Sequence, residues 1–285
     1  MTKSQKRIMS LANSFLGVLV AVAICSVLVS CDHDDRAESN LSHKIAVLVQ
    51  NANAETNVST PGEGVGNLLR PDERTFELLI EETVRIGELR ASGSINTNLL
   101  IRSSQLRSAF EIVGSNAAPL LGALRTNYLS GQNPGDSGWA LYYMGEPAWG
   151  TLIEGLSNRN PTVQACSAGF LGILPEAVAE RSVPDLLLVS RNGNEVARSS
   201  AILALDRIRP DPSIAMPPLL LALTNDPDYQ VRAVAARALG GYAHDSSVAK
   251  QALISAAQVD ADGFVRSAAS QAVEAADQMN PTNQP

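Results

Sequence analysis

Six small or apolar residues, Val231, Val234, Ala235, Ala238, Leu239 and Tyr242, fall at i, i+3, i+4, i+7, i+8 and i+11. That spacing puts all six on one stripe of an α-helix. The stripe returns 34 residues later as Val265, Ala268, Ala269, Ala272, Val273 and Ala276. It occurs 34 residues earlier as Ala197, Ser200, Ala201, Ala204, Leu205 and Ile208, and one step before that as Val163, Cys166, Ser167, Phe170, Leu171 and Leu174. A fixed period of this size predicts stacked units, each burying its apolar face against its neighbours. The expected fold is all-α, an α-solenoid of helix pairs with a period of 34 residues.

The units divide at roughly 147–180, 181–214, 215–248 and 249–282, so four repeats occupy 147–280. Each opens on a first helix, seen as Leu152-Ile153, Leu186-Leu187, Leu220-Leu221 and Leu253-Ile254. A turn follows, and the striped helix closes the unit. The turns are periodic too: Asn158, Asn192, Asp226 and Asp260 share one position, and Asn160, Asn194, Asp228 and Asp262 another. Such side chains cap helix N-termini by accepting from free backbone N–H groups.

Composition suits this reading. Apolar residues make up 45% of the chain and aromatic residues only 4%. The core must therefore be built from Ala, Leu and Val, which favours closely stacked helices over sheets.

Before the array, Pro71-Asp72-Glu73 reads as a helix start, and Phe76 to Arg90 as its body. A second helix carries Leu99, Leu106, Phe110 and Val113, and a third begins near Ala118-Pro119-Leu120. Residues 71–146 are expected to form irregular repeats or a cap. Asn133 to Gly138 reads as a loop. An aromatic cluster follows it, with Trp139, Tyr142, Tyr143 and Trp149 including both tryptophans of the chain. The cluster is either a core seal at the start of the array or a partner-binding surface, since aromatic anchors are enriched at interfaces. Residues 281–285 read as a frayed, disordered tail.

The run that carries Asp228, Val231, Arg232, Ala235, Ala236, Ala238, Leu239 and Gly240 resembles HEAT repeats, in the short form also found in phycobilisome lyases. The Trp, Gly-Tyr and Ala-Phe positions of tetratricopeptide repeats, which share the period, are not apparent. The arginine recurs as Arg198, Arg232 and Arg266, with Gln164 in its place in the first unit. The resemblance implies a structural ladder of Asp and Arg, and the four-residue spacing of Asp228 with Arg232 and of Asp262 with Arg266 suggests that each such pair meets.

The N-terminus reads as an address. Lys3, Lys6 and Arg7 precede an uncharged, mostly apolar run from Phe15 to Val29, which is shorter than the roughly 20 residues a membrane-spanning helix needs. Its end, Leu28-Val29-Ser30-Cys31, resembles the lipobox of bacterial lipoproteins. That resemblance implies removal of residues 1–30 as a signal peptide, lipid on the Cys31 thiol, and a cell-envelope location facing the periplasm or exterior. Asp32 resembles the inner-membrane retention signal of enteric lipoproteins. The alternative is an ordinary signal peptide cut elsewhere, with Cys31 incidental. Residues 31–70, acidic and polar apart from Ile45 to Val49, read as a flexible tether.

Chemistry is sparse. The net charge is −7, and since the first 30 residues contribute +3, the remainder carries −10 and makes a poor nucleic-acid binder. His33 and His43 lie in the tether, and His244 follows Tyr242-Ala243 in an inter-unit loop. No His/Cys spacing fits a metal site, so neither metal nor cofactor is expected. Cys166, on the stripe beside Phe170, reads as a buried structural thiol. The expected function is a lipid-anchored envelope scaffold that binds a protein partner, with no enzymatic activity, on the exposed positions of the second helices, such as Arg237. The alternatives are a cofactor-handling enzyme resembling the phycobilin lyases, and a purely structural envelope protein.

Overall fold

The computed structural model describes residues 73–93 and 96–278. The signal segment 1–30, Cys31, Asp32, the tether 31–70 and the tail 281–285 lie outside the described residues. The chain divides into two compact parts, one through Leu121 and one from Gly122 onward.

The first part holds helices α1 (Glu73–Ala91) and α2 (Thr97–Val113), followed by a 3-10 segment (Gly114–Leu120). Helix α2 starts where the Asn96 side chain accepts from the Leu99 N–H at 2.9 Å, as a capping residue should. It stops at Gly114, whose φ of 54° lies in the left-handed region that a side chain disfavours. Leu79, Ile86, Leu99, Leu106, Phe110 and Val113 are buried, on the apolar faces the sequence marks. The Arg102 guanidinium donates to both oxygens of Glu82 at 2.7 Å, which satisfies a carboxylate that packing would otherwise strand.

The second part opens with α3 (Leu121–Ser130), α4 (Pro134–Met144) and α5 (Glu146–Glu154). Helix α4 corrects the loop expected at 133–138. Asn133 is its N-cap, Pro134 fills the first turn where an N–H has no partner, and Asp136 meets the positive helix end. The same Pro-Gly-Asp-Ser run that reads as a turn is therefore a helix start.

The repeats follow as α5 with α6 (Pro161–Leu171), α8 (Val183–Asn192) with α9 (Glu195–Ile208), α10 (Pro212–Asn225) with α11 (Tyr229–Gly240), and α12 (Ser247–Val259) with α13 (Gly263–Gln278). One short helix, α7 (Glu176–Arg181), is inserted between the first two pairs. Second helices pack on each other in chain order, α6 on α9, α9 on α11 and α11 on α13, while each first helix packs on the second helix of its own repeat. The array is an all-α solenoid.

Helix α11 shows why the stripe matters. All six of its stripe residues are buried, and so are Ala233 and Ala236, because neighbours on both sides widen the apolar stripe. At the open end, α13 buries Val265, Ala268, Ala269, Ala272 and Ala276. Its positions equivalent to Ala233 and Ala236 carry Ser267 and Ser270, and only the serine nearer the middle is half-buried.

Small residues set the helix separation. A methyl group placed on Gly240 would lie 2.9 Å from the Ala272 Cβ, and one on Gly172 the same distance from the Ala204 Cα. Valine at 240 should therefore cost about 1–3 kcal/mol through overpacking. Alanine at Gly169, a helical position where an added Cβ meets nothing within 4 Å, should be stabilising by up to about 1 kcal/mol. Thermal unfolding of Gly240→Val and Gly169→Ala, shifting Tm in opposite directions, checks the packing.

Candidate interaction surface

The arginine ladder exists, but its partners differ from those expected. Arg232 donates from Nε and Nη2 to the two carboxylate oxygens of Asp260, at 2.9 and 3.0 Å, in the following repeat. Arg198 makes the same bidentate contact with Asp226 at 2.7 Å. Both pairs span 28 residues. The expected pairs of Asp228 with Arg232 and of Asp262 with Arg266 do not form. Asp228 is occupied as an N-cap, accepting from the Gln230 and Val231 N–H groups, and Asp262 accepts from the Phe264 N–H. A carboxylate committed to the backbone of its own helix start is turned away from the arginine one turn on.

The two turn positions thus divide the work. The second position caps the striped helix, as Asn160, Asn194, Asp228 and Asp262 do. At the first position Asn158, Asp226 and Asp260 each accept from the N–H two residues on, which fixes the turn. The two aspartates also receive the arginine of the preceding repeat. The remaining nitrogen of each fork holds its own turn: Arg232 Nη1 donates to the Asp226 and Pro227 carbonyls, and Arg198 Nη1 to the Gly193 carbonyl. One side chain so ties two successive turns together. In the first repeat, Gln164 Nε2 donates to the Leu156 carbonyl, and the residue 28 positions on is the uncharged Asn192.

The aromatic cluster is half-buried throughout. Trp139 stands edge-on to Phe170 with centroids 5.2 Å apart, edge-on to Tyr142 and stacked on Tyr143, while Trp149 Nε1 donates to the Tyr142 carbonyl at 3.1 Å. These contacts join α4 to the first repeat. Beneath the cluster, the Tyr128 hydroxyl and Ser167 Oγ are 2.7 Å apart, and burial pushes the phenol far above its usual range. A side chain at Gly155 would collide with Ser167, so that hydroxyl is closely packed beside Tyr128. Cys166 is half-buried, not buried as its place on the stripe implies.

Arg237 is exposed on the last turn of α11. His244 is exposed in its loop and within 2.8 Å of Asp245. The sequence reading missed the edge where the second helices begin. There Tyr229 and Phe264, from successive repeats, stand edge-on with centroids 6.4 Å apart, and they are 42% and 62% exposed. Val196, at the start of α9 one repeat earlier, and Val259, the last residue of α12, are exposed as well. The signal for Val196, Tyr229 and Phe264 was an apolar residue at a helix start, off the stripe, where burial does not account for it. No group of His, Cys, Asp and Glu among the described residues could hold a metal ion, and none of their helices is long and apolar enough to cross a membrane.

Residues 216–280, the last two repeats, match the family model for HEAT repeats. Those two units are HEAT repeats. A comparison with curated proteins found no match for the chain. HEAT repeats in general suggest a protein-interaction scaffold.

Folding holds the Asp260 carboxyl below its ordinary value, chiefly through the hydrogen bond from Arg232. The native state therefore binds fewer protons than the unfolded chain. The contribution to stability is complete above the ordinary carboxylate value near 4, and it is lost as pH falls through the lower native value. Asp260→Asn should lower stability at pH 7 by about 1–3 kcal/mol. Its deficit should shrink as the pH drops below about 4. Urea unfolding of both proteins across that range measures the difference.

Proposed function

We propose that the chain is a lipid-anchored scaffold of the bacterial cell envelope that holds a protein partner on its repeat array. The observation that carries this reading is the exposed aromatic pair of Tyr229 and Phe264, which meet edge-on from successive repeats. Exposed contiguous apolar surface on a folded protein marks an interaction site. Aromatic anchors flanked by charge are the composition of binding hot spots. Arg237, and the half-buried Trp139, Tyr142, Tyr143 and Trp149, add further candidate contacts.

The lipid attachment rests on the Leu-Val-Ser-Cys run that ends at Cys31. Asp32 favours retention at the inner membrane. The array is read as a binding surface and not as an enzyme, because the groups described above are engaged in caps, turns and ion pairs.

Cross-linking in the native host, followed by mass spectrometry, tests the reading. Wild type should yield one defined protein partner. Replacing Phe264 and Tyr229 with serine should reduce its recovery about tenfold, which corresponds to about 1.4 kcal/mol. Cys31→Ala should release the chain from the membrane fraction. A wild-type protein that cross-links to no defined partner, or a serine variant that recovers it unchanged, overturns the proposal.

A further inference from the structure

The first helices carry an outer face that the aromatic pair leaves unused. Helix α8 packs beside α10, and α10 beside α12. Leu188, Ile214, Leu221 and Val248 stand on this row of helices and are between 47% and 59% exposed. Helix α10 contains no charged residue, and the one charge of α12, Lys250, is half-buried and paired with Asp277 of α13. Only α8 brings charge to the face. Asp185 and Arg191 are exposed three residues to either side of Leu188, and among the described residues neither side chain makes a hydrogen bond or an ion pair.

We propose that the outer faces of α8 and α10 form a two-fold contact with a second copy of the chain, centred on Leu188. Such a contact is self-complementary, because the same patch is presented from both sides. An axis passing beside Leu188 sets Asp185 of each copy towards Arg191 of the other. The two charges are opposite in sign and equally spaced from one apolar residue, so the patch matches itself in charge as well as in polarity. They are six positions apart in the helix, beyond the spacing at which they would pair with each other. The exposed residues of α10, among them Ile214, Pro217 and Leu221, extend the contact without adding charge. The chain as a whole carries −7, so two copies repel wherever their surfaces are acidic, and this face is exempt.

The composition of the face selects this occupant over two others. Interfaces between identical chains are apolar and depleted in charge, whereas hot spots for unrelated partners are enriched in Trp, Tyr and Arg. The exposed apolar residues here are aliphatic, and the aromatic pair lies elsewhere, at the starts of the second helices. A bilayer surface calls for clustered Lys or Arg with Trp, Phe or Leu on the inserted side, and this face has a single Arg balanced by Asp185.

The test is disulfide cross-linking of the full chain in cells of the native host, with copper phenanthroline as oxidant. A residue beside a two-fold axis meets its own copy, so Leu188→Cys should give a disulfide-linked dimer well above the wild-type level. In that background Asp185→Arg or Arg191→Asp should each cut the yield about tenfold, since symmetry counts every change twice. Exchanging both charges should restore it, which a folding defect would not do. Replacing Tyr229 and Phe264 with serine should leave the yield unchanged, separating this contact from the one proposed for the array. Absence of the dimer, or single reversals that leave its yield unaltered, overturns the proposal. A product in which Leu188→Cys is linked to a different protein also overturns it. So does a thiol at that position shielded from water-soluble maleimide without any dimer, because the occupant is then the membrane.

Discussion

How near the second helices come to one another decides most of what this molecule is. Where Gly240 faces Ala272 and Gly172 faces Ala204, no side chain separates the helices beyond a single methyl group. Such contacts gain dispersion energy from backbone atoms that larger residues would hold apart. They also fix the offset between successive repeats. At that offset the Arg232 fork, about two helical turns from Gly240, finds Asp260 at hydrogen-bonding distance. The ladder is thus downstream of the packing, since without the close approach its ends would not meet.

Charge in this array is used sparingly and with a division of roles. One acid of each final turn faces inward along the axis, receiving the previous arginine, and the other is spent on the helix start behind it. The partly buried pairs add register more than affinity between repeats, because desolvation offsets much of their attraction. The aromatic pair at the turn edge remains for other molecules, together with Arg237 and the half-buried Trp139 cluster.

The sequence made the helix faces legible because periodicity reports them directly. Val231, Ala235 and Leu239 had to share a face, and they are buried together. It did not reveal the rung partners. Four-residue spacing argues for a contact within one helix, and nothing local says that capping already claims Asp228. Pro134-Gly135-Asp136 misled for a related reason, as turn formers and helix-start formers are the same residues. The Tyr229–Phe264 row went unread because an exposed aromatic at a helix start looks, in one dimension, like any other apolar residue near a stripe. Half-burial of Trp139 and Trp149 answers the choice between core and surface with a share of each.

The uncharged pair of Gln164 and Asn192 gives the array a direction. Its first junction is held by packing alone, while later junctions combine packing with ionic rungs. Neighbour-coupled arrays lose structure one junction at a time, beginning where coupling is weakest. Near neutrality that weak seam lies at the amino-terminal end of the repeats. In acid the rungs fade and the first junction is unchanged, so the difference between the junctions narrows. A single glutamine in place of the arginine thus makes one junction of the array indifferent to pH where the next two are not.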